Sequence, residues 1–491
     1  MRFVQRLGFC SLVIAVLLLC ITCSNKKSSA TSSSGSLSAA GEVQKPSQIT
    51  VMGSTIILEP ENGQAEFAAA YEKLTGVKLV QIKPAHNQYM ERVDLAFASG
   101  DLPDIFEAVE KHVTYAVNNA LWDATDAWYN SPIIQGADVN AADTIKVNGR
   151  LFSIPTTHGN GCITYIRKDW LDKLGLSVPK TFDEFYAMLE AFRDRDPDGD
   201  GQKNTIPFIS AGVTESHYLR EFYQGLDVKA DFFVKDGRIV EGMYDEQLKT
   251  GVTRLARAYK EGLVDKEVVT NTTSAARDKF YTGKVGVFTY WAGNWNRDLE
   301  NNLRKNVPAA VVDPMPPLQG TYLIDRPAAT SLCIPAANKN PLGMFKYYAE
   351  VAFDRGEGQM LFYYGVEGKH WTKTNGTYAK LPDGIDPSKP FFRAIFDPTI
   401  TLYPWNDPFP AEPRIRDSLA LFNSVAHGSS LLPTSDDISG NLVELKTARE
   451  EIVSKIVMGL YTVDEGFDLY RRQNDKIVQE CLTVMNAKYV P

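Results

Sequence analysis

The chain has 491 residues, 23% of them charged and 44% apolar, with a formal charge of −8. That is more chain than one hydrophobic core serves, and it predicts roughly two or three domains. The acidic balance argues against a nucleic-acid partner, which selects a basic face. It suits a neutral or cationic ligand better than an acidic one.

The first element is an export signal. Arg2 and Arg6 precede Cys10–Cys20, an almost wholly apolar stretch, and a basic start before a short apolar core has that meaning. Cys20-Ile21-Thr22-Cys23-Ser24 resembles a bacterial lipoprotein cleavage site, although Cys20 stands where Leu is usual. The resemblance implies removal of residues 1–22 and acylation of Cys23, which would tether the protein to a membrane outside the cytoplasm. A plain signal peptide and an N-terminal anchor helix stay open as alternatives. The apolar stretch is short against the roughly 20 residues a spanning helix needs, and no later segment is long and apolar enough. Removing residues 1–22 leaves 469 residues and takes away two positive charges. Asn25–Ser47, rich in Ser, Gly, Lys and Ala, reads as a flexible tether. Cys162, Cys333 and Cys481 are too widely spaced for a disulfide framework; one pair is possible, and buried free thiols are the plainer reading.

From residue 48 strands and helices alternate. Ile49–Leu58 is a strand by its β-branched residues. Ala65–Leu74 is a helix stopped at Gly76. Val77–Ile82 is a strand, Tyr89–Ala98 a helix, and Asp104–Ala108 a short strand. This alternation predicts a mostly parallel sheet flanked by helices, with ligand beyond the carboxyl ends of its strands. Glu59 and Glu107 fall near such ends. Gly149–Pro155 and Cys162–Arg167 are extended runs that could cross between lobes. Thr181 caps a helix running to Arg193, with Glu184 as its reciprocal partner. Leu248–Glu261 and Ser274–Phe280 are helices. Lys284–Phe288 is a strand that delivers Thr289–Trp295 into a loop, and Trp295–Leu303 is a helix. Ala309–Met315 and Ala328–Pro335 are extended, and Pro341–Phe353 is helical. The remainder is helix-rich and is interrupted by the proline-rich run Pro404–Pro413.

Several segments, in order along the chain, resemble the extracellular solute-binding proteins of ABC importers. They are Ala96–Ile105 (ASGDLPDI within it), Tyr165–Leu176 with Pro179-Lys180-Thr181, Lys284–Phe288, Tyr364–Trp371 and Met458-Gly459. The nearer likeness is to the carbohydrate branch, with lipoprotein A-like and alginate-oligosaccharide-binding members. This resemblance implies an α/β, two-lobed periplasmic-binding-protein-like fold with crossing hinge segments and a helix-rich C-terminal part. It implies a tether at 23–47 and a first lobe made of 48–157 and a returning 310–375. The second lobe is then 158–309 with 376–491. The implied role is binding without catalysis, as a monomer: an oligosaccharide is held by closure of the lobes and passed to permease subunits.

The sharpest chemical motif is Asp194–Thr205, where oxygen-bearing side chains alternate around glycines as in calcium loops, which supply about 6–8 oxygens. One register starts at Asp194. The other starts at Asp196, uses Asp198 and Asp200, places Gly201 at the sixth position, and continues through the Gln202 carbonyl to Asn204. The family favours the second, with Asn204 and Thr205 where Asp and Glu are common. The competing reading is a solvated acidic turn.

Trp291 and Trp295 flank Gly293-Asn294, so their rings could stack on sugar faces while Asn294 bonds hydroxyls. Core packing is the alternative. Trp371 and Trp405 are further candidates to line the cleft, and Trp122 and Trp128 are as compatible with core or hinge packing. Glu59, Asp104 and Glu107 could bind hydroxyls or a cationic group, with a cap as the alternative for Asp104. A glycoside hydrolase needs two carboxylates roughly 5–9 Å apart across the scissile bond, and no paired signature marks one here. The histidines form no cluster. A sensor or adhesin on the same fold, and a peptide as ligand, remain as other readings.

Overall fold

In the computed structural model, which describes residues 43–108, 112–223, 228–319, 324–326, 328–385, 396–403, 407–409, 411–429 and 431–489, two sheets divide the chain between two lobes. Four strands come first: β1 (Gln48–Met52), β2 (Lys78–Ile82), β3 (Ile105–Glu107) and β4 (Ile154–Pro155). The next six are β5 (Cys162–Arg167), β6 (Ile206–Ile209), the hairpin β7 (Phe232–Lys235) and β8 (Arg238–Glu241), β9 (Val285–Trp291) and β10 (Val312–Pro314). They are followed by β11 (Ile324–Arg326) and β12 (Ser331–Cys333).

The first sheet has the order β2-β1-β3-β12-β4. β1 is parallel to β2 and to β3, while β12 runs antiparallel to β3 and β4. The parallel part is what the strand–helix alternation predicts; the antiparallel edge arises because β12 re-enters from the other lobe. Side-chain alternation sorts the strands between two cores. Ile49, Val51, Ile105 and Leu332 enter one; Met52, Phe106 and Cys333 enter the other. Such fully buried apolar side chains contribute about 1.5–3 kcal/mol each.

The second sheet has the order β10-β5-β9-β6, with β5 antiparallel to β9 and to β10, and β6 parallel to β9. Helices cover both its faces, so all of β5 is buried. Ile166, Phe208 and Val287 point into a core shared with the long helices Asp436–Val457 and Val463–Lys488. Ile163, Tyr165, Phe288 and Tyr290 point the other way, against Ile415, Leu419 and Phe422. Cys162, Cys333 and Cys481 are buried free thiols.

Among the described residues the chain passes between the lobes three times: from β4 to β5, from β10 to β12, and through 396–403 to the helix Pro413–Val425. The passages are hydrogen-bonded side by side. Thr156 N donates to Thr330 O at 2.9 Å, and His158 N donates to Ile400 O at 3.0 Å. The hydroxyls of Thr157 and Thr330 lie 2.6 Å apart.

Several expectations need correction. β1 ends at Met52 rather than Leu58: a Cβ on Gly53 would lie 2.3 Å from Ile56, and Ile56-Ile57-Leu58 is buried as a loop. Of Gly149–Pro155 only Ile154–Pro155 joins the sheet; Arg150 bridges back to Val147 across a turn in which Gly149 has φ 78°. β9 runs on through Trp291, because Thr289, Tyr290 and Trp291 continue the ladder with β5. Thr181 caps its helix, but Glu184 Oε2 accepts from Lys180 N at 2.7 Å, not from Thr181. The lobe limits also shift. Residues 312–314 pair with β5 and so join the second lobe. Phe396, Leu402 and Tyr403 lie in the core of the first, where Tyr403 stacks on Phe353 at 3.6 Å.

The β7–β8 hairpin is tied to the C-terminal helices by Arg449, which donates from Nε to Glu241 Oε1 at 3.0 Å and from Nη2 to Glu241 Oε2. Both side chains are almost wholly buried. Without Glu241 the buried Arg449 keeps, among the described residues, only the exposed Asp231, at 2.6 Å, as a carboxylate partner, and breaking a buried pair is costly. Glu241→Ala is therefore expected to lower unfolding free energy by about 3 kcal/mol, read as a drop in the urea midpoint.

Candidate functional site

β6 and β9 are parallel neighbours, so their carboxyl ends open on the same side. A cavity of about 810 Å³ lies there, lined by Ala211–Tyr218 after β6, by Trp291 at the end of β9, and by Lys229, Asp325 and Ser429. The strand-end rule for α/β sheets places ligands at such a position.

The position of Trp291 is fixed by buried polar contacts. Tyr165 Oη donates to Trp291 O at 2.8 Å and lies 3.1 Å from Ser418 Oγ, which accepts from Gly293 N at 3.0 Å. Gly293 has φ 78° and ψ −124°, a conformation that only glycine adopts readily, and an added Cβ would come 3.2 Å from Leu419. From the first crossing, Asn160 Nδ2 donates to Ala292 O at 3.0 Å. The Trp291 and His217 rings are 6.4 Å apart, and Tyr218 packs parallel to Tyr290 at 6.3 Å. Burial, with Arg220, Lys229 and Lys446 nearby, pushes the His217 imidazole down to about 4. The wall joins aromatic rings to the Glu215 carboxylate, which lies 3.7 Å from His217 Nδ1.

The other expected ligand contacts lie elsewhere. Trp295 packs edge-on against Tyr290 at 4.8 Å with the Arg277 guanidinium 5.0 Å above it. Asn294 is buried and donates from Nδ2 to Asp397 Oδ2 at 3.0 Å, joining a second-lobe helix to the third crossing. Trp371 is buried, donates from Nε1 to Gly365 O at 2.8 Å, and borders a different groove on the first lobe. Glu107 is buried and turned inward, accepting from Ser54 N at 2.9 Å and Thr55 N at 3.0 Å. Asp104 accepts from Thr50 N and from Asn338 Nδ2, both at 2.8 Å. Glu59 pairs with Lys83 at 3.2 Å. Trp405 and Cys23 lie outside the described residues. Of the expected aromatic and carboxylate contacts, the described cavity at the strand ends holds Trp291 alone. Sequence reasoning missed His217, Lys229 and Asp325. The usable signal for His217 was the Gly-, Thr- and Ser-bearing segment 211–218 directly after a short apolar run.

In the acidic loop, Asp196, Asp198 and Asp200 each offer an oxygen within 4.8 Å of the others. Asp196 has φ 46°, and its carboxylate accepts from Gly199 N at 3.0 Å and Gly201 N at 3.1 Å. Lys284 Nζ bridges Asp198 Oδ2, at 2.6 Å, and Asp200 Oδ2. This ammonium, with Asn204 Nδ2 and Gln202 N, pulls the Asp200 carboxyl down to about 2. Asp198 Oδ1 is buried without a hydrogen-bond partner, so the carboxylate set fits a cation. Asn204 Nδ2 donates to Asp200 Oδ2 at 2.9 Å. Thr205 Oγ1 donates to Phe192 O at 2.7 Å, outside the loop.

A model of the bacterial extracellular solute-binding proteins matches residues 59–350. The chain belongs to this family. Lipoprotein LipO of Bacillus subtilis is 24% identical over 249 residues, 49% of each chain. The fructooligosaccharide ABC transporter substrate-binding protein FusA of Streptococcus pneumoniae is 28% identical over 249 residues, 45% of this chain and 46% of its own. The chain thus spans about half the length of the curated relatives it matches. Among solved structures, the alginate-binding protein AlgQ2 without calcium ion superposes with a TM-score of 0.69 at 24% identity, covering 91% of this chain and 98% of its own. FusA in complex with kestose gives 0.67 at 19%, covering 90% and 98%. The family fold accounts for the two lobes and the crossings. Among the described residues no helix is long and apolar enough to cross a membrane.

Burial raises the Asp397 carboxyl to about 6, against its bonds from Thr399 and Asn294. Its folded value exceeds its unfolded one, so the folded state holds the extra proton between about pH 4 and 6. The stability this supplies is fully present below the unfolded value and is lost as pH rises through 6. Asp397→Asn is expected to flatten that part of the stability–pH profile, measured by urea denaturation from pH 4 to 7.

Proposed function

We propose that the protein captures an oligosaccharide outside the cytoplasm and passes it to the permease of an ABC importer. The observation that carries this reading is the strand-end cavity with Trp291 on its wall. An aromatic face, a neutral imidazole, and hydroxyl and carboxylate groups around one space suit a polyhydroxylated ring, which is apolar on its faces and polar at its rim. The sugar-binding relatives and the shared fold support the same reading. The crossings serve as the hinge about which the lobes close. The role makes and breaks no bond.

The N-terminal segment supplies the location. Cys23, acylated after removal of residues 1–22, holds the protein to the membrane, and residues 24–43 give it reach; the expected tether is shorter than 23–47, because Gln44 O accepts from Asn340 Nδ2 at 2.8 Å and Ser47 O from Lys78 N at 3.1 Å. Capture of a ligand that binds only the folded form raises apparent stability by mass action. A Ser24–Pro491 protein is expected to melt higher with one glycan series and to show no shift with peptides. Trp291→Ala should weaken binding by about tenfold, about 1.4 kcal/mol, in calorimetry. Peptides that shift melting where no glycan does would reverse the assignment.

The acidic loop takes a structural calcium ion in this reading. Asp196, Asp198 and Asp200 would supply carboxylates, with Gln202 and Asn204 as further oxygens and Thr205 as the weakest candidate. The site lacks the carboxylates common at the positions of Asn204 and Thr205, and Lys284 competes for two of its oxygens. Calcium added to chelator-treated protein should raise the melting temperature, more so in Lys284→Met. An unchanged melting temperature in both proteins would mean the loop is an acidic turn neutralised by lysine.

A further inference from the structure

A second cavity, of about 790 Å³, adjoins the one at Trp291. Its wall comes from both lobes, with Val117 and Val147 from the first and Phe232 and Val234 from the β7–β8 hairpin of the second. Lys229, Phe232, Asp325 and Ser429 line both cavities, so the two spaces meet at these residues. At that junction Lys229 Nζ pairs with the Asp325 carboxylate, one from a second-lobe loop and the other from the second crossing.

Three features bear on what passes the junction. Each cavity alone is of the size that holds a whole small ligand, roughly 300–1,000 Å³, so together they exceed what a mono- or disaccharide fills. The ion pair sets a donor beside an acceptor with no net charge, which matches adjacent hydroxyls on a sugar. Both side chains keep 20–29% exposure, so the pair is reachable from the cavities and ligand hydroxyls can take up its donor and acceptor. The Trp291 cavity sets Lys229 against Glu215, Asp231, Asp325 and Glu450, and the second cavity sets Lys146, Lys229 and Lys488 against Asp325. A polyuronate would have to lie along the acidic first cavity to reach the basic second one, which favours a neutral chain.

We infer that the two cavities form one path for a neutral oligosaccharide. Lys229 and Asp325 bind its hydroxyls at the junction, and the second cavity holds the sugar residues that extend beyond the Trp291 cavity. This inference rests on the oligosaccharide reading and adds the length and charge of the chain and two residues that select it.

The test is calorimetry on the full mature chain with ladders of two to six residues: gluco-, fructo-, galacto-, manno- and xylo-oligosaccharides, and oligogalacturonides. Affinity for a neutral ladder is expected to rise with length. Val234→Trp places an indole in the second cavity from a strand position that is 42% exposed, where an aromatic residue is well tolerated. It should weaken the longest chains at least tenfold and leave the shortest unchanged, with an unaltered melting temperature. Asp325→Ala should weaken every chain long enough to reach the junction. If both variants bind all lengths as the wild type does, the second cavity is not part of the path. If oligogalacturonides bind better than neutral chains of equal length, the neutral class is wrong. If the wild type binds no ladder at all, the oligosaccharide reading falls and takes this inference with it.

Discussion

The structure depends on the seam where three strands of chain cross between the lobes. Thr156, Thr157 and His158 of the first crossing are bonded on one side to Thr330 of the second and to Ile400 of the third. Each lobe is assembled from discontinuous segments, so neither core closes unless these passages run together. The seam is made of backbone bonds and small hydroxyls. These fix alignment along the crossings yet carry little side-chain bulk to resist bending across them. A stiff pairing with a soft transverse axis is what a two-lobed binding protein needs.

The seam also orders the site. Asn160, on the first crossing, holds Ala292, and Tyr165 at the middle of β5 holds Trp291. Asn294 reaches the third crossing through Asp397. The turn 291–294 is therefore clamped from three directions. Its aromatic residue faces the cavity while the polar residues around it are engaged with backbone carbonyls or, for Asn294, with the Asp397 carboxylate. Asn294, expected to meet a ligand, is one of these engaged residues.

Much of the fold was legible because burial imprints periodicity. The alternation of Ile49, Val51 and Met52, and of Ile163, Tyr165 and Ile166, marks strands between two cores, and Gly76 and Thr181 mark helix ends. The second-lobe limit was not legible at 310, because Val312–Pro314 looks alike whether it pairs with β5 or opens a new unit. The site was harder still. A carboxylate at a strand end reads the same in sequence whether it faces solvent or, like Glu107, turns back to hold residues 54 and 55. Tryptophans are equally ambiguous: Trp291 and Trp295 sit one helical turn apart, and only the end of β9 decides which one meets the cavity. Lys229 and Asp325 are 96 positions apart and carry no local signature; their pairing is a property of topology.

The acidic loop and the aromatic wall sit at opposite ends of one strand. Lys284, which bridges Asp198 and Asp200, immediately precedes β9, and Trp291 closes it. At about 3.3 Å per residue the two ends are about 20 Å apart. Charge at the loop is thus too distant, across a buried sheet, to change how strongly a sugar is held. What the loop does is pin the near end of a rod whose far end is the proposed binding surface. Loosening that anchor would blur the position of the aromatic face without altering any atom of the cavity wall.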